Sequence, residues 1–217
     1  MQTLSAKERI AKRVAAFFKK GDLVNLGVGL PSLIPSFLPD DSGIWMLADN
    51  GMIGGVPLSK GETADPCIKD AGDHYSRLLP GGCFFNSATA FGLVRGGHLD
   101  YTVLGAMQAD EQGNLANWLV PGGKMAGMGG AMDLVSGARQ VIVATEHCTR
   151  QGSPKILKQC TFPLTGKGVV DWIVTELCVL QVTDRGLRLV ETADGVSVEE
   201  VRRKTGAEVY SVNNGVE

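Results

Sequence analysis

The sequence predicts an α/β fold: an open, largely parallel sheet flanked by helices. Three observations carry that expectation. Short apolar segments of strand type alternate along the chain with segments of helical period. Val141-Ile142-Val143-Ala144 is apolar at every position, as a strand covered on both faces must be. Of the 217 residues, 29 are glycine, and many stand just beyond the expected strands, where backbone must turn tightly or approach something closely.

The elements follow in order. Ser5-Ala6-Lys7-Glu8 has the form of a capping box, and Ile10, Val14, Phe17 and Phe18 recur after it at helical spacing, with Gly21 suited to the stop. Residues 23–26 read as a strand that runs into Gly27-Val28-Gly29-Leu30-Pro31. Residues 32–38 read as a short helix and 44–47 as a second strand, ending in the turn sequence Ala48-Asp49-Asn50-Gly51. Residues 51–82 carry so many glycine, proline and charged positions that they read as a long, functional loop with little regular structure. A helix over 87–93, a strand over 101–104 and a helix over 131–138 precede the Val141 strand. Residues 169–176 read as a helix. Residues 177–182 and 187–190 read as a hairpin through Asp184-Arg185-Gly186, and Ser197 to Glu200 as a second capping box whose helix ends near Gly206. No shift of composition marks a linker, so residues 1–217 are expected to form a single domain.

Composition excludes several classes. Hydrophobic residues make up 44% and charged residues 20%, and there is no Gly-X-Y period, so fibrous and disordered chains are set aside. Aromatics are only 6%, so the core is expected to be aliphatic. A net charge of -2 gives no basic surface for nucleic acid. The basic residues from Lys7 to Lys20 read as the solvated face of a helix. No signal peptide and no apolar run of membrane-spanning length is present. The five cysteines are scattered, without a C-x-x-C pair, so reduced thiols in the cytoplasm and no metal site are expected. Cys83, Cys148 and His147 are read as packing and structural residues.

Three segments stand where an open α/β sheet places its ligands, at the carboxyl ends of strands. Gly27-Val28-Gly29 begins like a dinucleotide fingerprint, but Ser32 stands in place of the third glycine. It reads either as a tight turn or as backbone approaching a ligand chain, with the Asn25 amide able to donate and accept. Asp49 reads either as a turn residue or as a carboxylate projecting from a strand end, usable as base or nucleophile. Gly127-Met128-Gly129-Gly130-Ala131 at a helix start suits an anion or oxyanion, and equally suits close helix–sheet packing. Met125, Met128 and Met132 read as core or pocket wall.

Taken together these segments resemble one family. Val24-Asn25-Leu26-Gly27-Val28-Gly29-Leu30-Pro31, Arg95-Gly96-Gly97-His98, Leu104-Gly105-Ala106-Met107-Gln108, Gly113-Asn114-Leu115-Ala116-Asn117-Trp118 and Gly127-Met128-Gly129-Gly130-Ala131-Met132-Asp133-Leu134-Val135 are similar to the B subunit of class I, 3-oxoacid-type CoA-transferases. The likeness continues through Glu146-His147 and Pro163-Leu164-Thr165-Gly166, to about residue 205. It implies an open α/β sheet, a separate A subunit in a heterodimer or heterotetramer, and transfer of CoA from an acyl-CoA to a short-chain carboxylic acid through an enzyme-bound thioester. Coenzyme A is then a substrate, and no cofactor is permanently bound. The resemblance assigns the nucleophile to Asp49 and an oxyanion N–H to Gly130. It puts Asn25 at the pantetheine end of CoA and threads the CoA chain past Gly27, Gly29, Gly129 and Ala131.

The chain departs from that family at the reacting position. The family's Ser-Glu-Asn-Gly reads Ala48-Asp49-Asn50-Gly51 here, its Gly-Leu-Gly-Pro reads Gly54-Gly55-Val56-Pro57, and its Pro-Gly-Lys reads Pro121-Gly122-Gly123-Lys124. A lysine after Ala-Gly is Asp73 here. Withdrawing a carboxylate by about 1.3 to 1.5 Å costs attack geometry. Three outcomes remain open at this point. The neighbouring loop moves Asp49 forward and transfer is restored; a water enters the gap and the protein hydrolyses acyl-CoA; or CoA binds without chemistry.

Overall fold

Ser5 starts the first helix as expected. Its side chain accepts the Glu8 N–H, and the Glu8 carboxylate accepts the Ser5 N–H at 2.7 Å, at the head of α1 (Ala6–Ala15). In this computed structural model, which describes residues 4–39, 41–123 and 127–211, α1 ends well before Gly21. Phe17 and Phe18 lie beyond it in tight turns, which direct their rings onto Trp172 and Tyr101 at centroid distances of 5.2 and 5.3 Å. Those edge and tilted ring contacts decide where the helix stops.

The strands follow as β1 (Leu23–Leu26), β2 (Trp45–Ala48), β3 (Met52–Pro57), β4 (Ser76–Phe84), β5 (Tyr101–Leu104), β6 (Gln108–Asp110), β7 (Leu115–Ala116), β8 (Gln140–Ala144), β9 (Ile156–Leu157), β10 (Trp172–Val174), β11 (Cys178–Thr183), β12 (Gly186–Thr192) and β13 (Val209–Ser211). The helices are α2 (Ser87–Arg95), α3 (Ala131–Gly137) and α4 (Val198–Lys204), with a 3-10 helix over Leu30–Phe37. Pro35 lacks the N–H group an α-helical ladder needs there, which accounts for the tighter form.

Ten strands form one mixed sheet in the order β13-β12-β11-β10-β8-β5-β1-β2-β3-β4. Its centre, β10-β8-β5-β1-β2, is parallel, and antiparallel ribbons extend it on both sides. The crossover from β1 leads to β2 on one side and that from β5 leads to β8 on the other. Ligands of open α/β sheets bind above such a reversal. One face of the sheet carries α1 and the 3-10 helix over Ile10, Val14, Val24, Ile34, Val103 and Ile142, all fully buried. The other face carries α2, α3 and α4 over Leu47, Val94, Leu134, Val143 and Val201. Each such side chain contributes about 1.5 to 3 kcal/mol on burial, and the aliphatic core expected from composition is what the two faces hold. Among the described residues no helix is long and apolar enough to cross a membrane.

One expectation is corrected in part and another is overturned. Residues 58–75 run without a helix or strand, but the segment 51–82 is not loop throughout: β3 and β4 pair as an antiparallel ribbon, with a register shift between Ile53 and Gly55. Gly54, Gly81 and Gly82 lie against the Trp45 ring or one another, and these glycines made the segment read as irregular. Nor is 169–176 a helix. The Asp171 carboxylate accepts the Val141 N–H at 2.7 Å and the Trp172 indole donates to Gln140 at 3.0 Å, holding β10 extended beside β8. An apolar run of that length fits either form, and tertiary pairing decides. At α4 only half of the expected capping box forms: Ser197 accepts the Glu200 N–H, while the Glu200 carboxylate pairs with Lys204 at 2.7 Å.

His147 is fully buried beyond the end of β8. Its ring lies between Thr175 Oγ1 at 3.0 Å and Thr205 Oγ1 at 2.9 Å. Thr205 gives its own proton to the Val201 carbonyl at 2.7 Å, so it accepts from Nε2–H, and Thr175 donates to Nδ1. Burial, with a smaller push from Lys204, holds the imidazole neutral and drives its pKa down to about 4 from 6.5. The unfolded chain therefore takes up a proton between pH 6.5 and 4 that the folded chain refuses. The His147 contribution is fully present above pH 6.5 and is lost as pH falls toward 4, by roughly 3 kcal/mol. Urea unfolding at pH 7 and pH 4.5 is expected to show this loss, and His147→Gln to show a flatter dependence. Equal slopes for the two proteins would contradict the burial argument.

Candidate active site

Ala48-Asp49-Asn50-Gly51 forms the hairpin tip between β2 and β3. The Gly51 N–H donates to the Ala48 carbonyl at 3.0 Å, and Ala48 and Met52 pair across the turn. Gly51 has φ +112, and a methyl group on it would lie 1.9 Å from the Phe85 carbonyl oxygen. Only glycine meets both demands. The Phe85 N–H in turn donates to the Gly51 carbonyl at 2.9 Å, so the tip is fixed to the chain that enters α2. Asn86 caps that helix by accepting the Thr89 N–H at 2.8 Å. Asn50 reaches the other way, donating to the Lys69 carbonyl at 3.0 Å.

The tip thereby holds Asp49 against the start of α3. A methyl group on Gly130, the residue that precedes α3, would lie 2.9 Å from Asp49 Oδ2, 2.7 Å from Phe91 Cζ and 2.9 Å from Phe91 Cε1. At its far end α3 crosses α2 as closely, for a methyl group on Gly137 would lie 2.3 Å from the Val94 carbonyl oxygen. Arg95 and Asp133 close the same pair of helices with an ion pair of 2.8 Å. Among the described residues the Gly130 N–H has no hydrogen-bond partner.

Burial raises the Asp49 pKa above its ordinary 3.8, while its own N–H and that of Asn50 pull it back. A half-buried carboxylate whose hydration is reduced is a stronger nucleophile, which suits attack on an electrophilic carbon.

The sequence-derived candidates fall into two groups and a remainder. Asp49 and Gly130 are brought together. Asn25 and Gly27 lie at the reversal between β1 and β5, where the Gly27 N–H donates to the Val103 carbonyl at 2.8 Å and the Leu104 side chain leaves no room for a Cβ. Asn25 is buried, and much of its capacity is used internally: its Nδ2 donates to the Leu47 carbonyl at 3.0 Å and its Oδ1 accepts from Thr102 at 3.2 Å. Both residues also border a cavity of about 250 Å³ with Met46, Ala48, Met52 and His74. Gly29 stands exposed ahead of the 3-10 helix and Gly129 exposed ahead of α3, while Ala131 packs on the core.

Phe91 was not singled out by sequence. It is an aromatic among small residues on an amphipathic helix, and only the crossing of α2 with α3 puts it at the carboxylate. Met128 is exposed rather than core, and Cys83 is exposed on the edge strand β4 rather than packed. Lys124, Met125 and Ala126 lie outside the described residues. Among the described residues no group of three or more His, Cys, Asp or Glu is placed to hold a metal ion.

Comparison with known proteins finds the family model described as Coenzyme A transferase over residues 7–204. The chain is 49% identical to acetate CoA-transferase subunit beta of Escherichia coli strain K12, over 94% of this chain and 93% of that protein. It is 47% identical to the mitochondrial succinyl-CoA:3-ketoacid coenzyme A transferase 2A of Rattus norvegicus, over 92% of this chain but 39% of that longer protein. Among solved structures, an acyl-CoA transferase apoenzyme from Escherichia coli O157:H7 superposes with a TM-score of 0.78 at 19% identity, over 98% of this chain and 43% of that one. At that identity the likeness speaks for the fold.

The closeness at Gly130 makes a direct prediction. Gly130→Ala forces Phe91 or Asp49 to move, at about 1 to 3 kcal/mol of stability, and costs activity of the assembled enzyme at least about tenfold. Thermal unfolding and steady-state rates measure the two effects. An unchanged rate would show that Asp49 does not depend on this contact.

Proposed function

Because the chain belongs to the coenzyme A transferase family, we propose that it is the B subunit of a two-subunit CoA-transferase that moves CoA from a short-chain acyl-CoA of the acetoacetyl type to a carboxylic acid by way of a thioester on Asp49. The observation that carries this reading is the half-buried Asp49 carboxylate held against Gly130 at the carboxyl end of the sheet.

In this reading an Asp49 oxygen attacks the acyl-CoA carbonyl carbon and CoA leaves as the thiolate, giving a mixed anhydride. The thiolate attacks the Asp49 carbonyl carbon, the first acid leaves as its carboxylate, and an aspartyl-CoA thioester remains. The second carboxylate attacks that thioester, and the same steps run backwards to the new acyl-CoA and free Asp49. Each tetrahedral intermediate places negative charge on oxygen. The Gly130 N–H serves as one donor to it, already aimed before the reaction begins. A second donor comes from the A subunit. Gly27, Gly29, Gly129 and Ala131 offer backbone to the narrow CoA chain, with Asn25 toward its pantetheine end.

CoA is a substrate here, no permanently bound cofactor takes part, and residues 1–217 act as one domain in a cytoplasmic heterodimer or heterotetramer. Two findings support a partner. The Escherichia coli relative is named as a subunit beta, and the rat relative carries more than twice the length of this chain. Hydrolysis is the weaker reading, because the relatives are named as transferases and the Asp49 carboxylate is partly withdrawn from water.

The test is to incubate the assembled A/B complex with acetoacetyl-CoA and borohydride. Activity is expected to be lost with reduction at Asp49, and Asp49→Ala is expected to abolish labelling and lower transfer at least about a hundredfold. Accumulation of free CoA with none reaching acetate would sink the transferase reading.

A further inference from the structure

We propose that Phe91 is a positioning residue for the reaction: its ring edge, together with Gly130, closes the space beside the short Asp49 side chain against water and so directs the covalent intermediate to a carboxylic acid rather than to hydrolysis. This rests on the transferase reading.

The distal edge of the ring, Cζ and Cε1, and the carboxylate oxygen Oδ2 of Asp49 all converge on the one point where a Gly130 Cβ would stand. The ring is half-buried and cannot swing away freely. Asn86 caps the helix that carries it, the Val94 backbone lies against Gly137 one turn further on, and the Arg95–Asp133 pair locks the two helices together. An apolar edge on one side of a carboxylate removes water from that side. Burial is indeed the leading cause of the upward shift at Asp49.

Charge from neighbouring elements does not account for that shift. Arg95 of α2 and Asp133 of α3 pair with each other, β3 carries no charged residue, and Lys69 of the loop that meets Asn50 pairs with Asp73. A carboxylate one methylene shorter than a glutamate leaves a gap wide enough for a water molecule. In this chain the side of the gap toward α2 and α3 is filled by the ring edge.

If the ring is removed, water reaches the aspartyl-CoA thioester. Its oxygen forms a C–O bond to the Asp49 carbonyl carbon, the C–S bond breaks, the leaving thiolate takes the remaining proton of water, and Asp49 returns as a carboxylic acid. The sum over both halves is acyl-CoA and water giving a carboxylic acid and CoA thiol.

The experiment compares the wild-type A/B complex with Phe91→Ala and Phe91→Leu, using acetoacetyl-CoA with acetate. Acetyl-CoA formed and free CoA thiol are measured together, and folding is checked by circular dichroism. The ratio of free thiol to transferred CoA is expected to rise at least about tenfold in Phe91→Ala, with a smaller rise in Phe91→Leu. In parallel, Asp49 is titrated by carbon-13 resonance in the same complexes, and its pKa is expected to move down toward the ordinary carboxylate value in Phe91→Ala. A merely structural role would lower the rate and leave the partition ratio and the titration where they were, which would overturn the proposal. Absence of transfer in the wild type would instead strike the transferase reading, and the titration would still decide whether Phe91 shields Asp49.

Discussion

Close approach at three glycines is the constraint on which this site depends. Gly51 lies against the Phe85 carbonyl, Gly130 against Phe91 and Asp49, and Gly137 against the Val94 carbonyl. Each contact is too short for a Cβ, so another residue would displace backbone at Gly51 and Gly137 and the Phe91 or Asp49 side chain at Gly130. Together they make a chain of fixed distances, from the hairpin tip to the start of α2, along α2 to its crossing with α3, and back along α3 to the carboxylate. Asp49 is therefore placed by the backbone around it, and the hydrogen bonds its carboxylate receives come from its own N–H and that of Asn50. A carboxylate held in this way keeps its oxygens available for reaction.

The same arrangement sets the electrostatics. Burial raises the Asp49 pKa, and two backbone N–H groups limit the rise, while the carboxylate loses part of its hydration. At the reversal between β1 and β5 the balance is different. Asn25 holds the ends of β2 and β5 together through Leu47 and Thr102.

Much of the architecture was legible because it depends on local pattern. The Ser5 box, the apolar Val141 strand and the Asp184-Arg185-Gly186 hairpin are decided within a few residues. The β3–β4 ribbon and β10 were not, since their pairing comes from Trp45 beneath glycines and from Asp171 bonded to a strand 30 residues away. At the site, the strand-end position of Asp49 and the helix-start position of Gly130 could be read, and the structure joins them. Phe91 could not be read, because what matters in it is a crossing between two helices that no local spacing encodes. The sequence also left open whether the glycine run before α3 serves packing or an oxyanion. At Gly130 the structure shows the packing demand, since its neighbours leave little room for a Cβ, and places the residue beside the carboxylate.

The central claim is that the Asp49 carboxylate joins covalently with both acids. Oxygen tracing tests it most directly. The A/B complex is allowed to turn over acetoacetyl-CoA with acetate labelled in both oxygens with oxygen-18, and the Asp49 peptide is then weighed by mass spectrometry. Attack of acetate on the aspartyl-CoA thioester leaves one acetate oxygen on Asp49, so that peptide is expected to gain one heavy oxygen in the first turnover and to approach two in later ones, as the released acetoacetate acquires label. Continued production of acetyl-CoA with an unlabelled Asp49 peptide would contradict the account.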